Sequence, residues 1–161
     1  MTLRLAALLI SGALVLAGCA GAPNDNMRNT GSDNTGVYQQ DSPEFFVHQV
    51  GDRVHFAVDQ STLSAEAMSI LDAQAAWLGQ NGEFSALIEG HADEQGTREY
   101  NLALGARRAA AAKDYLVSKG VAGGRLRTIS YGKERPIEIC STEDCWSRNR
   151  RAVTVVSAGS S

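Results

Sequence analysis

Hydrophobic positions change their period several times along this 161-residue chain. A mainly apolar run, Leu5–Leu16, comes first, and a long polar stretch follows it. Val54, Phe56 and Val58 then alternate with polar or small residues, which is the period of a strand. Phe45–Val50 reads as a short strand ahead of it, turned at Gly51-Asp52. Ser64 can cap a helix whose apolar face is Ala67, Ile70, Leu71, Ala75 and Leu78, with Asn81-Gly82 as its stop. Phe84, Ala86 and Ile88 alternate again, as a strand ending near Gly90. Thr97 can cap a second, Ala-rich helix that runs to Lys119 and stops at Gly120. Arg125–Tyr131 reads as a third strand, and a short helix near Trp146 leads into a last strand, Ala152–Val156. The β-α-β-α-β-(α)-β order predicts an α+β two-layer sandwich, with the helices packed on one sheet. Residues 44–158 suffice for a single modest core.

The first apolar run is too short to span a bilayer as a helix and follows one positive residue, Arg4, so residues 1–18 read as an export signal. It ends Leu16-Ala17-Gly18-Cys19, which resembles the bacterial lipobox. That resemblance implies cleavage before Cys19 and acyl chains on its sulfur and its new amino group. Two or more chains anchor a protein stably, where one holds it marginally. The alternative is an ordinary cleavable signal with an incidental cysteine. Ala20, in place of an Asp, fits delivery to the outer membrane by the same resemblance.

Residues 19–43 read as the lipidated N-terminus and a flexible tether. Four Asn, three Gly and two Pro between 20 and 43, with almost no large apolar side chains, give too little to bury against the entropy of ordering. Such a tether reaches at most about 80 Å and typically spans about 27 Å.

Composition narrows the function. The net charge is −3, and no basic run is longer than Arg107-Arg108 or Arg150-Arg151, so the basic stripe that binds nucleic acid is missing. With Cys19 modified, Cys140 and Cys145 remain. In an exported chain a structural disulfide is favoured over free thiols; a redox pair usually shows C-x-x-C spacing, and two cysteines are too few for structural zinc. Closing so short a loop stabilises by about 2 kcal/mol in the chain-entropy model.

Candidate chemistry lies between the second strand and second helix. Gly90-His91-Ala92-Asp93-Glu94-Gln95-Gly96-Thr97 supplies a carboxylate, Asp93. On the helix that follows, Asn101, Leu104 and Arg108 share a face, while Arg107 is turned about 100° away. An Asp and an Arg can hold a zwitterion, the Asp its ammonium group and the Arg its carboxylate. An ordinary ion pair, or two solvated charges, fits the same residues.

The segment GHADEQGTREYNLALGARRA resembles the signature of the OmpA-like peptidoglycan-binding domain family, and Ile129–Pro136 and Ser147–Val153 extend the likeness over roughly residues 53–156. With the lipobox and Asn-rich tether in front, the chain resembles the lipoprotein branch of that family, which works in the Tol system of Gram-negative bacteria. The resemblance implies a single domain with a mixed sheet, no enzymatic activity and no cofactor. Its ligand is the peptide stem of peptidoglycan, read at meso-diaminopimelate by Asp93 and by Arg108 rather than Arg107, with Asn101 beside it. Asp59 closes the family's F-x-F-D pattern, where backbone amides help cradle the ligand. The resemblance also implies competition with TolB for an overlapping surface, an outer-membrane anchor through Cys19, a domain facing the periplasm, and a part in envelope integrity and in constriction at cell division. Replacing Asp93 or Arg108 by Ala is expected to end wall retention and leave the fold intact.

Three features depart from the pattern. Val58 replaces a Phe, Gln95 and Arg98 stand where Arg and Pro are common, and Glu138–Trp146, with both cysteines, is assigned no ligand role. One geometric difficulty is plain: Arg108 lies about 16 Å along a helix that starts at Thr97. The loop must fold back along the helix, or the helix must start later, for one small ligand to meet both residues. Rival readings are the same domain anchoring the wall outside the Tol system, and a cell-wall hydrolase. His91-x-Asp93 suggests a metal only weakly, because His48, His55 and His91 lack helical ligand spacing.

Overall fold

The computed structural model describes residues 38–159. The lipobox with Cys19, and most of the segment read as tether, lie outside the described residues.

The described chain contains α1 (Pro43–Phe45), β1 (Arg53–His55), α2 (Ala65–Gln80), β2 (Phe84–His91), α3 (Arg98–Ser118), β3 (Leu126–Gly132), α4 (Glu143–Asn149) and β4 (Arg151–Ala158). The sheet order is β1-β4-β2-β3. β4 lies antiparallel between β1 and β2, and β3 runs parallel to β2, so the sheet is mixed. Phe84, Ala86 and Ile88 of β2 face Leu71 and Leu78 of α2 and Ala109, Ala112 and Leu116 of α3 in one core.

Most helix ends follow local chemistry. Ser64 and Thr97 cap α2 and α3 by accepting from the Ala67 and Tyr100 amides. α3 ends in a Schellman turn: Gly120, at φ +97°, donates to Val117 O and Val121 donates to Leu116 O.

The expected strand at Phe45–Val50 is instead helical. Ser42 accepts from the Phe45 amide, Pro43 sets the first turn, and Phe46–Gly51 continues as a wider π-helical stretch. Phe46 is buried and Val50 half-buried while His48 between them is exposed; a strand would put all three on one face, and a helix does not. The ordered fold also starts before Glu44. Trp77 Nε1 donates to Gln40 O at 2.7 Å, and Tyr38 stacks on His48. The strand expected through Val58 stops early. The Phe56 amide still donates to Arg150 O, but the chain then turns at Ala57–Gln60 with Asp59 at φ +58°, leaving Val58 53% exposed.

One approach sets the geometry of everything near the ends of β2 and α3. A Cβ built on Gly90 would lie 1.8 Å from Gly105 O, and one on Gly105 would lie 2.4 Å from Ser130 Oγ and 2.8 Å from Gly90 O. α3 therefore rests directly on strand backbone at its second turn. Residues 92–97 must run back alongside the helix to reach its first residue, which answers the distance problem posed by the sequence.

Two outcomes are expected. Gly90→Ala forces α3 off the sheet and costs at least about 3 kcal/mol, read by urea unfolding. His91 is 2% exposed, and neither ring nitrogen makes a hydrogen bond within the described protein, Glu89 Oε2 lying 3.8 Å from Nε2; burial, then Arg151 and Arg135, lowers its pKa from 6.5 to about 4. The unfolded chain thus takes up this proton at a higher pH than the folded one. Stability from His91 is full above about pH 6.5 and falls as the pH drops towards 4, by up to about 3 kcal/mol. His91→Gln should flatten that part of the stability profile; an unaltered slope would contradict it.

Candidate functional site

Asp93 sits two residues beyond β2 and is 7% exposed. Its Oδ1 accepts from the Gln95 amide at 3.1 Å, an Asx-type turn that starts the return loop. Its Oδ2 accepts from Arg150 Nη1 at 3.2 Å. Three further side chains hold the loop. Asn101 Nδ2 donates to Gln95 O at 2.7 Å, Lys133 Nζ donates to Gly96 O at 2.7 Å, and Trp146 Nε1 donates to Glu94 Oε1 at 3.0 Å. Gly96, at φ +88°, makes the turn that an L side chain would resist.

Across from this loop is the Ala57–Gln60 turn with Asp59. Tyr100 on α3 donates its hydroxyl to Asp59 Oδ1, and that carboxylate raises the Tyr100 pKa. Between loop, turn and helix lies a hollow of about 230 Å³, lined by Val58, Asp59, Asp93, Gln95, Gly96, Tyr100, Asn101 and Leu104. It is smaller than the roughly 300–1,000 Å³ usual for drug-sized ligands, and suits one amino-acid head group. A larger hollow beside Arg98, Leu102 and Tyr131 contains none of these acids, and Arg98 there is already paired with Glu134.

Arg108 lies out of reach of solvent, at 0% exposure, and is not among the residues lining the hollow. Its Nε donates to Gln60 O at 2.8 Å, Nη1 to His91 O at 2.8 Å and Nη2 to Ala57 O at 3.2 Å. It therefore ties the Asp59 turn to the end of β2. Desolvation, reinforced by Arg150 and opposed by Asp93 and Asp59, lowers its pKa to about 10, so it stays charged at neutral pH. Arg107 is exposed on the neighbouring face, as the helical spacing requires.

Three of the residues named from sequence, Asp59, Asp93 and Asn101, meet in the hollow, and the fourth, Arg108, lies off its walls as a buried charge. Asp93 and Arg108 share no ion pair, although the Asp93 charge acts on Arg108: the ion partner of Asp93 is Arg150, 4% exposed. Sequence reasoning passed over Arg150 and Tyr100. The available signal for Arg150 was a basic doublet just ahead of the last strand, since pairing that strand with β2 sets Ala152 beside Gly90 and so brings Arg150 towards Asp93.

The expectation that Arg108→Ala leaves the fold intact is corrected by this burial. The truncation would remove one donor from each of three backbone carbonyls and open a cavity, at a cost of about 3–5 kcal/mol measurable by urea unfolding. Asp93→Asn keeps the shape and one of the two accepted hydrogen bonds while removing the charge, and is the cleaner probe of the site.

The OmpA family model matches residues 55–150 of this chain. A peptidoglycan-associated lipoprotein of Mesorhizobium japonicum is 53% identical over 150 residues, 92% of this chain and 89% of that protein. Its namesake in Haemophilus influenzae is 42% identical over 91% of this chain and 94% of its own length. Among solved structures, the peptidoglycan-associated lipoprotein from Burkholderia pseudomallei superposes with a TM-score of 0.68 at 33% identity, covering 72% of this chain and all of that one. The C-terminal domain of Helicobacter pylori MotB shares the fold alone, at 20% identity and a TM-score of 0.63. On a family match across more than half its length, and relatives aligned along most of it, the chain belongs to the OmpA family.

Proposed function

We propose that this protein is a lipid-anchored outer-membrane lipoprotein that grips peptidoglycan non-covalently at meso-diaminopimelate. The observation that carries the reading is the small hollow with Asp59, Asp93 and Asn101 on its wall and the buried positive charge of Arg108 behind it. Diaminopimelate presents an amino-acid head beyond its peptide links. Its ammonium group meets the two carboxylates and Asn101. Arg108 is fully buried and all three of its nitrogens donate to carbonyls, so it acts on the ligand's carboxylate as a positive charge behind the hollow, while backbone amides of the Asp59 turn supply the donors. A lysine stem lacks that carboxylate and binds worse. One such grip is weak, and many copies on lipid anchors turn weak grips into a firm attachment.

Support for the wall as target comes from relatives that carry the name peptidoglycan-associated lipoprotein along nearly their whole length. Cys19 takes the acyl chains and residues 20–43 form the tether. Within the Tol system, TolB competes for the hollow's rim, and moving the protein between TolB and the wall supports outer-membrane constriction at division. No helix among the described residues is long and apolar enough to cross a membrane, so in this reading the lipid at Cys19 is the anchor.

Two measurements check the reading. Asp93→Asn should lower affinity for a diaminopimelate-containing stem peptide at least about tenfold, because one charged hydrogen bond is worth about 1.5–3 kcal/mol. Unchanged binding, or equal binding of a lysine stem by the parent protein, would overturn the site assignment. Soluble muropeptides released from purified wall would point to a hydrolase instead. Cys19→Ser should move the protein from the membrane to the soluble fraction, and persistence in the membrane would contradict lipidation.

A further inference from the structure

Asp93 is held from below by a line of charges that ends on the disulfide loop. Arg150 lies between two carboxylates. Its Nη1 donates to Asp93 Oδ2 at 3.2 Å and to Glu143 Oε2 at 3.4 Å, its Nη2 pairs with Glu143 Oε1, and its Nε donates to Phe56 O at 3.1 Å. Glu143 is the first residue of α4 and lies inside the loop closed by Cys140 and Cys145, whose Cα atoms are 5.7 Å apart. Trp146, the residue after Cys145, donates to Glu94 on the binding loop, whose pKa is lowered by Ser141 first and then by Trp146. One short cross-linked segment thus touches the loop that carries Asp93 twice, once through Arg150 and once through Trp146.

We propose that Glu143 is a positioning residue for the wall ligand, set in place by the Cys140–Cys145 disulfide, and that it works by sharing Arg150 with Asp93. This rests on the hollow being the peptidoglycan site. Arg150 is buried and must be neutralised. While Glu143 takes part of its charge, the Asp93 carboxylate keeps charge for the ligand's ammonium group and is fixed in one orientation. Without Glu143, Arg150 turns its whole fork onto Asp93 in a bidentate pair, and the ligand must compete with a guanidinium for the same oxygens. The disulfide matters because the Glu143 side chain is 61% exposed. A flexible exposed acid holds an ion pair weakly, whereas one in a closed loop has little entropy left to lose.

The test uses the full chain in detergent, titrated with a diaminopimelate-containing stem peptide and heated to read the unfolding midpoint. Glu143→Gln is expected to weaken binding about five- to tenfold with an unchanged midpoint. Glu143→Asp should restore affinity to within about twofold, which a merely structural contact would not do. Replacing Cys140 and Cys145 together by Ser should weaken binding to a similar extent, and adding Glu143→Gln to that pair should cost little more, because the two act on one chain of contacts. Parent-like binding by Glu143→Gln, or its full loss repeated on top of the serine pair, would overturn the proposal. Asp93→Asn separates the two readings. If it loses binding while Glu143→Gln does not, only the role of Glu143 falls; if it binds normally, the hollow is not the wall site and both fall.

Discussion

Backbone meets backbone where Gly105 of α3 lies on Gly90 of β2, with no side chain on either residue to keep them apart. The rest of the site follows from that contact. It brings the third turn of the helix level with the end of the strand, so that Arg108 donates to His91 O. It also forces residues 92–97 to double back along α3, which lays Asp93, Gly96, Asn101 and Leu104 around one hollow. A methyl group at either glycine would lift the helix and part the strand end from the guanidinium. The packing requirement and the placement of charged groups are thus one constraint.

Charge in the site is arranged in two layers. Asp59 and Asp93 line the hollow, and Arg108 and Arg150 lie buried behind them. Burying two guanidinium groups is costly, and the structure offsets the cost with carbonyls and carboxylates: Gln60, His91 and Ala57 for Arg108, and Phe56, Asp93 and Glu143 for Arg150. Each arginine therefore organises a loop as well as contributing a field. Arg108 ties down the Asp59 turn and Arg150 orients Asp93. Fixed dipoles and charges of this kind let a small polar ligand bind without first ordering its site.

The segment with least resemblance to its family pattern has a place in this scheme. Glu138–Trp146 had no ligand role on sequence grounds. In the fold it carries the cross-link, the carboxylate that shares Arg150, and the indole that holds Glu94. Departures at positions 95 and 98 are milder: Gln95 keeps its backbone bonds to Asp93 and Asn101, and Arg98 finds Glu134 on the surface.

Much of this was legible from neighbouring residues alone. Ser64, Thr97 and Gly120 mark helix ends because a capping oxygen or a left-handed glycine acts over three or four residues. Helical geometry says only that Arg107 and Arg108 face different ways; the family resemblance pointed to Arg108, and the fold buries it and leaves Arg107 exposed. Alternation gave the strands at 84–91 and near 152–156, but misread Phe45–Val50, where a Ser-Pro start makes a helix and turns His48 away from the buried side that Phe46 and Val50 share. What sequence could not supply is which charges meet. Asp93 and Arg150 are 57 residues apart, and Arg108 and the Ala57 carbonyl 51. Those pairs exist because β4 inserts between β1 and β2, and no local period encodes the order of strands in a sheet.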